Sequence, residues 1–315
     1  MRELSYDANT KMLRGFPQIK KLGAISPNGE SSPFVWNGKL MRLENEDPSR
    51  CYSADAPIRA IIRDCATNAI ISRFGGETDF FSFYQEDGVA YVLGSKRGQS
   101  DTILIYESRD LVNWSEPRVL LQRPGWAYCN TALVKGPDGY VLLLEADSRG
   151  VSEEVASAVG HFYTYFFATS PDMVNWTHLE LHKCYNPNRY SGAPWMAYHD
   201  GWYYVINLIE MPGPIYTSYL SRTQDFDTWY LGKYNPILLP SQEDKLISPN
   251  ATDLSEELLE EMKTAYISSN ADIDMCEFEG QTRIVYNAGN QLGFYYLAEA
   301  VYDGPLTEFL ERQFL

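Results

Sequence analysis

The chain lacks any run of about 18 apolar residues, the length that a membrane-spanning helix requires, so no transmembrane helix is expected. Its first residues hold Lys and Arg but not the apolar stretch of a secretory leader, and the expectation is a cytoplasmic protein without a membrane partner. Cysteine is scarce: Cys51, Cys65, Cys129, Cys184 and Cys276 are odd in number and form no Cys-x-x-Cys pair, which argues against a full disulfide framework and against a zinc site. With 26 Lys and Arg against 42 Asp and Glu, the net charge is −16. A polyanion needs a cationic face, so nucleic acid is excluded as a partner. No Pro/Gly/Ser-rich linker divides the 315 residues. The expectation is therefore an arm or closing segment at 1–27 and a single domain at 28–315, with no cofactor and no metal.

What the chain does contain is a repeat. Ser108-Arg109-Asp110-Leu111-Val112-Asn113-Trp114, Ser170-Pro171-Asp172-Met173-Val174-Asn175-Trp176 and Thr223-Gln224-Asp225-Phe226-Asp227-Thr228-Trp229 all read Ser/Thr-x-Asp-apolar-x-x-Trp. The tryptophans Trp114, Trp176 and Trp229 are 62 and 53 residues apart, a period that marks a radial β architecture. The Asp is expected to close a turn onto backbone amides and the Trp to pack between blades. Trp176→Ala is accordingly expected to cost roughly 3–5 kcal/mol.

A second repeat consists of apolar strands joined by tight turns at Asn37-Gly38, Asp87-Gly88, Asp138-Gly139, Asp200-Gly201 and Glu279-Gly280. Asn-Gly and Asp-Gly are strong hairpin signals, and five hairpins predict an all-β, five-bladed propeller. One interruption, near 254–263, opens with Ser255-Glu256-Glu257-Leu258 and predicts a short helical insertion.

Propeller geometry decides which residues can meet. Inner strands begin, and second strands end, on one rim. Counting back from the turns places Glu30, the neighbourhood of Asp79, Cys129 or Asn130, the neighbourhood of Ala193, and Asp272 on that rim. Counting forward adds Glu44, Lys96, Arg97, Glu145, Asn207, Asn287 and Gln291. Several carboxyls aimed into one cavity repel one another and lose water, which raises at least one pKa and provides the acid/base pair for glycosidic hydrolysis. The candidate catalytic residues are Glu30, Asp79, Asp272, Glu145 and His161. Trp126, Trp195 and Tyr216 are candidate platforms for sugar faces, and Asn130, Gln291, Arg97 and Arg149 are candidate polar contacts. His178, His182 and His199 read as turn or outer-strand residues.

The Ser-Pro-Asp-Met-Val-Asn-Trp segment, the Trp36-Asn37-Gly38-Lys39 turn and the run from Asn270 to Gly280 resemble the five-bladed propeller glycoside hydrolases around families 43, 32, 117 and 130. The resemblance implies a carbohydrate substrate. In family 43 it implies a general base at the start of blade one, a pKa-tuning Asp in blade three and an acid Glu in blade four. Here those positions hold Glu30, Cys129-Asn130 and Ser191-Gly192-Ala193-Pro194, so only the first is acidic. Three readings follow: an exo-acting hydrolase of a small oligosaccharide, a glycoside phosphorylase using Lys96, Arg97 and Arg149, and a non-catalytic sugar-binding propeller. A homo-oligomer is compatible with each.

Overall fold

The computed structural model describes residues 17–48, 56–151, 153–213 and 215–315. Cys51 and residues 1–16 of the segment read as an arm lie outside them. Five antiparallel sheets follow one another along the chain. Blade one comprises Gly29–Trp36, Lys39–Glu46, Arg59–Asp64 and Ile70–Phe74. Blade two comprises Thr78–Glu86, Val89–Lys96, Thr102–Ser108 and Arg118–Gln122. Blade three is built from Tyr128–Gly136, Gly139–Asp147, Tyr163–Ser170 and Thr177–His178. Blade four is built from Gly192–His199, Trp202–Met211, Ile215–Thr223 and Tyr230–Leu231.

Blade five takes its inner three strands, Ser269–Phe278, Gln281–Gly289 and Tyr295–Tyr302, from the C-terminal part of the chain. Its fourth strand is Ile19–Ser26, which pairs antiparallel from Ile19 opposite Tyr302 to Ser26 opposite Leu297. Chain ends far apart in sequence thus share one sheet, and a sheet edge that would otherwise stay open is paired. A single parallel bridge, Tyr216 to Ser269, links blades four and five.

Four of the hairpin turns place both central residues at positive φ: Asn37 at 49° with Gly38 at 76°, Asp87 at 50° with Gly88 at 71°, Asp200 at 46° with Gly201 at 79°, and Glu279 at 53° with Gly280 at 73°. That backbone matches the strand twist, which explains the residue choice. The third turn differs from the expected Asp138-Gly139: Gly136 pairs with Gly139, so the turn residues are Pro137 and Asp138. Proline's ring holds φ negative, which rules out the turn type of the other four.

Between successive sheets lie strips of buried aliphatic and aromatic side chains. The Ser/Thr-x-Asp turns fasten these strips from outside. Asp110 accepts from the amides of Val112 (2.9 Å) and Asn113 (2.8 Å), and Asp172 does the same with Val174 and Asn175. The apolar residue after each Asp sits at positive φ and turns inward: Leu111, Met173 and Phe226 are all buried. Trp114 stacks on Phe74 of the preceding blade at 4.2 Å, and Trp229 meets Tyr185 of the preceding blade edge-on at 4.5 Å. Trp176 is half-buried against the strip between blades two and three, so its removal belongs at the low end of the expected loss.

The insertion forms a helix at Glu256–Thr264, capped by the Ser255 hydroxyl, with Leu258 and Met262 buried in the blade-four and blade-five core. The sequence predicts one helix, but the described residues also hold helices at Glu153–Ala158 and Leu306–Arg312. The last is anchored by buried Phe309 and Leu310.

Candidate active site

At the rim, every inner strand carries one extra residue relative to its partner. The register slips between Gly29 and Ser31, Asp79 and Ser82, Tyr128 and Thr131, Gly192 and Trp195, and Ala271 and Asp274. Such a bulge bends the strand and re-aims a side chain. The residues eight positions before the second turn residue are Glu30, Phe80, Asn130, Ala193 and Asp272. Four of them adopt positive φ, at 25° for Glu30, 58° for Phe80, 53° for Ala193 and 50° for Asp272, which side-chain-bearing residues rarely do. All five line one axial cavity of about 410 Å³, together with Glu145, Tyr163, Tyr190, Asn287 and Gln291.

Three carboxyls therefore converge from blades one, three and five, and among the described residues no Lys or Arg lines the cavity with them. Glu145 ends the aliphatic run Val141–Leu144 and is buried. One of its oxygens accepts from Asn130 Nδ2 and from the Ala193 backbone N–H, both at 3.0 Å. Burial pushes its pKa up to about 7; these hydrogen bonds oppose the rise, and the Asp272 charge adds to it. Asp272 accepts from Asn287 Nδ2 at 3.0 Å, and burial pushes it up to about 6 against that bond. Asp274 follows two residues later on the same side of the strand, in a small space beneath the cavity that Glu30, Ser32 and Ser82 also line. Burial raises it to about 7 although the Ser32 hydroxyl donates to it. The Cys129 thiol, also in the cavity wall, is pushed far up by burial and by Glu145 and Glu30. That disqualifies it as a thiolate nucleophile.

Glu30, Glu145, Asp272, Asn130 and Gln291 thus meet where the sequence expected them. The other candidates do not. Asp79 lies one residue before the bulged position, so Phe80 takes its place in the cavity while Asp79 pairs with Arg97 at 2.5 Å. That pairing also removes Arg97 from the cavity wall. Arg149 pairs with Asp147 at 2.5 Å and lies over the Phe162 ring, and Lys96 donates to Gln99. Trp126 is buried among Tyr128, Phe166 and His178 in the strip between blades two and three. Trp195 is likewise core, with its indole N–H donating to the Met275 carbonyl at 3.3 Å. His161 and Tyr216 lie outside the cavity in an adjoining groove. Phe80, Tyr163, Tyr190 and Asp274 escaped the sequence reading. Counting eight residues back from Gly88 gives Phe80, and taking Pro137-Asp138 as the third turn brings Asn130 into line in the same way; the Asp272-x-Asp274 alternation is the period-2 signal for Asp274.

No family model matches the sequence, and no curated protein matches it. Solved structures do. The Bacteroides ovatus xyloglucan PUL protein GH43B superposes with a TM-score of 0.58 at 10% identity over 90% of this chain. The chain spans only about half of that protein's length, 54%. A thermostable family-43 glycoside hydrolase superposes at 0.59 with 11% identity, over 89% of each chain. The α-L-arabinofuranosidase Arb93A of Fusarium graminearum, solved with an iminosugar inhibitor, superposes at 0.55 with 12% identity, over 90% of this chain and 97% of its own. The chain therefore has the five-bladed β-propeller fold that the family-43 glycoside hydrolases share, as its turns and Asp–Trp repeats predict.

Proposed function

We propose that the axial cavity is the active site of an exo-acting glycoside hydrolase. The observation that carries this reading is the convergence of Glu145 and Asp272, two buried carboxyls whose pKa values are raised to about 7 and about 6, in a cavity whose wall holds no cation among the described residues. Burial raises both carboxyls into the range where one can hold a proton while its neighbour is ionised, which lets the pair divide the acid and base roles. Glu145, protonated below about pH 7, donates its proton to the glycosidic oxygen as the bond to the anomeric carbon breaks. Asp272, the more readily ionised partner, takes a proton from the water that attacks the same carbon. Asp79, tied to Arg97, takes no part in this mechanism. Glu30 faces the reacting sugar from blade one, and Asn130 and Asn287 hold the two catalytic carboxyls in place.

A cavity closed by five blades suits a chain end rather than the middle of a polymer, hence the exo assignment. Phosphorolysis would need a cationic pocket, yet Lys96, Arg97 and Arg149 are engaged with Gln99, Asp79 and Asp147. Hydrolysis is therefore preferred.

The test is incubation with aryl xylosides, aryl arabinofuranosides and short xylan-, arabinan- and xyloglucan-derived oligosaccharides, with and without inorganic phosphate, and analysis of products by mass. Release of free monosaccharide, lost in Glu145→Gln, is the expected result. Sugar phosphate as product would reassign the enzyme as a phosphorylase. Binding without turnover of any substrate would make it a sugar-binding propeller.

A further inference from the structure

Blade four brings little polarity to the axial cavity. Its strands contribute Ala193 and Leu208 to the wall, both aliphatic, and the loop leading into Gly192–His199 contributes Tyr190. The Tyr190 ring is held from several sides: Tyr163, Tyr216 and His161 each meet it edge-on, at 5.8, 5.7 and 5.9 Å. Packing of this kind fixes the ring and with it the place of the hydroxyl. Two neighbouring tyrosines commit their hydroxyls to the framework, Tyr165 donating to the Gly192 carbonyl and Tyr185 to Asn207 Oδ1 at 3.0 Å. Among the described residues, no hydrogen bond ties the hydroxyl of Tyr190.

Gly192 keeps the space that this hydroxyl occupies. A Cβ at Gly192 would stand 2.6 Å from the Tyr190 oxygen, well inside van der Waals contact, so any larger residue would displace the phenol. Glu145 and Asp272 both lie near enough for their charges to act on it. Burial first, and then those two charges, hold its pKa well above the ordinary value, so Tyr190 stays a neutral hydroxyl. A neutral phenol is no nucleophile, but its oxygen accepts hydrogen bonds. The acid works on the glycosidic oxygen and the base on the attacking water, and both atoms are joined to the anomeric carbon in the transition state. A group that both carboxyls reach therefore stands beside that carbon, where an aldose carries its 2-hydroxyl. As positive charge builds on the anomeric carbon the 2-hydroxyl becomes a stronger donor, and a hydrogen bond from it tightens in the transition state.

We propose that Tyr190 is a further catalytic residue, whose hydroxyl oxygen accepts a hydrogen bond from the 2-hydroxyl of the sugar held between Glu145 and Asp272, with Gly192 providing the clearance. The inference rests on the cavity being the active site. No covalent bond forms or breaks at Tyr190; its effect is on the charge that develops next to it.

The test compares the parent with Tyr190→Phe, which keeps the ring and removes only the hydroxyl. The substrates are the aryl xyloside or aryl arabinofuranoside that the parent cleaves, and its 2-deoxy and 3-deoxy counterparts. The expected result is a fall in kcat of about 10- to 100-fold on the complete sugar and on the 3-deoxy sugar, and of no more than about twofold on the 2-deoxy sugar. Gly192→Ala, which retains the phenol but displaces its hydroxyl, should give the same pattern, and it decides the matter if Tyr190→Phe folds poorly. An equal loss on all three sugars, or no loss on any, overturns the role of Tyr190 while leaving the cavity assignment intact. A loss that vanishes on the 3-deoxy sugar instead overturns the pairing with the 2-hydroxyl. A parent that cleaves no glycoside overturns both readings.

Discussion

Glu44 and Glu145 are both buried glutamates at the ends of second strands, yet they are opposites in every other respect. Glu44 sits six positions after the second turn residue of its blade and Glu145 seven. In a strand, an offset of one residue turns a side chain to the other face. Glu145 therefore looks into the axial cavity, while Glu44 meets Arg42 at 2.6 Å, Arg63 at 3.0 Å, Ser26 Oγ at 2.8 Å and Asn28 Nδ2 at 2.6 Å. Burial alone would lift the Glu44 carboxyl, but the two guanidiniums and the hydrogen bonds outweigh it and hold the pKa below the ordinary value. Glu145 has neutral donors only, and its pKa rises. One carboxyl is buried for structure and fully compensated. The other is buried and left poised to change protonation, which is how catalytic groups differ from framework ions.

The contrast is broken most severely at the cavity. Glu145→Gln and Asp272→Asn should each lower kcat by about 10²–10⁴, the usual contribution of a positioned acid or base. The melting temperature should hold or rise, because each change removes a buried carboxyl that lacks a cation. Steady-state kinetics alongside a thermal melt reads both; an inactive variant that also unfolds early would make the residue structural. At Glu44 the prediction is reversed. Glu44→Ala leaves Arg42 buried without its ion-pair partner and Arg63 with Asp253 and the Asn68 carbonyl, so unfolding in denaturant should show a loss of about 3–5 kcal/mol.

Proton uptake sharpens the comparison further. A carboxyl raised to about 7 in the folded chain, against a usual 4.5, binds a proton in the native state that the unfolded state has released. Between those values stability falls as pH rises. Glu145→Gln should flatten that slope by up to about 1.4 kcal/mol per pH unit, measurable by unfolding at a series of pH values. An unchanged slope would mean that Glu145 titrates normally. The kcat/KM profile of the parent, which reports the free enzyme, should be a narrow bell with limbs near 6 and 7, values belonging to the Glu145–Asp272 pair and not to either residue alone.

The smallest effect is expected at an exposed carboxylate. Amide donors from Val174 and Asn175 hold Asp172 down at about 2, so Asp172→Ala should lower the melting temperature less than Glu44→Ala and leave kcat unchanged. A loss as large as that of Glu44→Ala would show that the outer turn is as critical as the buried ion pair.

Much of this was legible because it is written in local chemistry. Asn-Gly and Asp-Gly announce turns through the backbone they tolerate, and Ser/Thr-x-Asp announces its own turn through hydrogen bonds to neighbouring amides. Counting from those turns was enough to bring Glu30, Glu145 and Asp272 to one rim. Asp79 and Phe80 are separated only once the count is fixed at eight residues, and the one-residue bulge that fixes it is a slip between strands that leaves no mark on composition. Trp126 and Trp195 could not be told from sugar platforms, since a tryptophan's residue type is the same whether its ring faces a cavity or a neighbouring sheet.

The sequence by itself therefore determined the number of hairpins, the framework role of the Asp–Trp turns and the presence of acids on one rim, all through interactions a few residues long or through strand period. Only the tertiary structure decided which acids share a space, which are neutralised by Arg42, Arg63 or Arg97, and which stay uncompensated on the axis. The reason is that burial and partner charge are properties of residues brought together by ring closure, where Ile19–Ser26 joins the last sheet and residues from blades one, three and five first come within reach of one another.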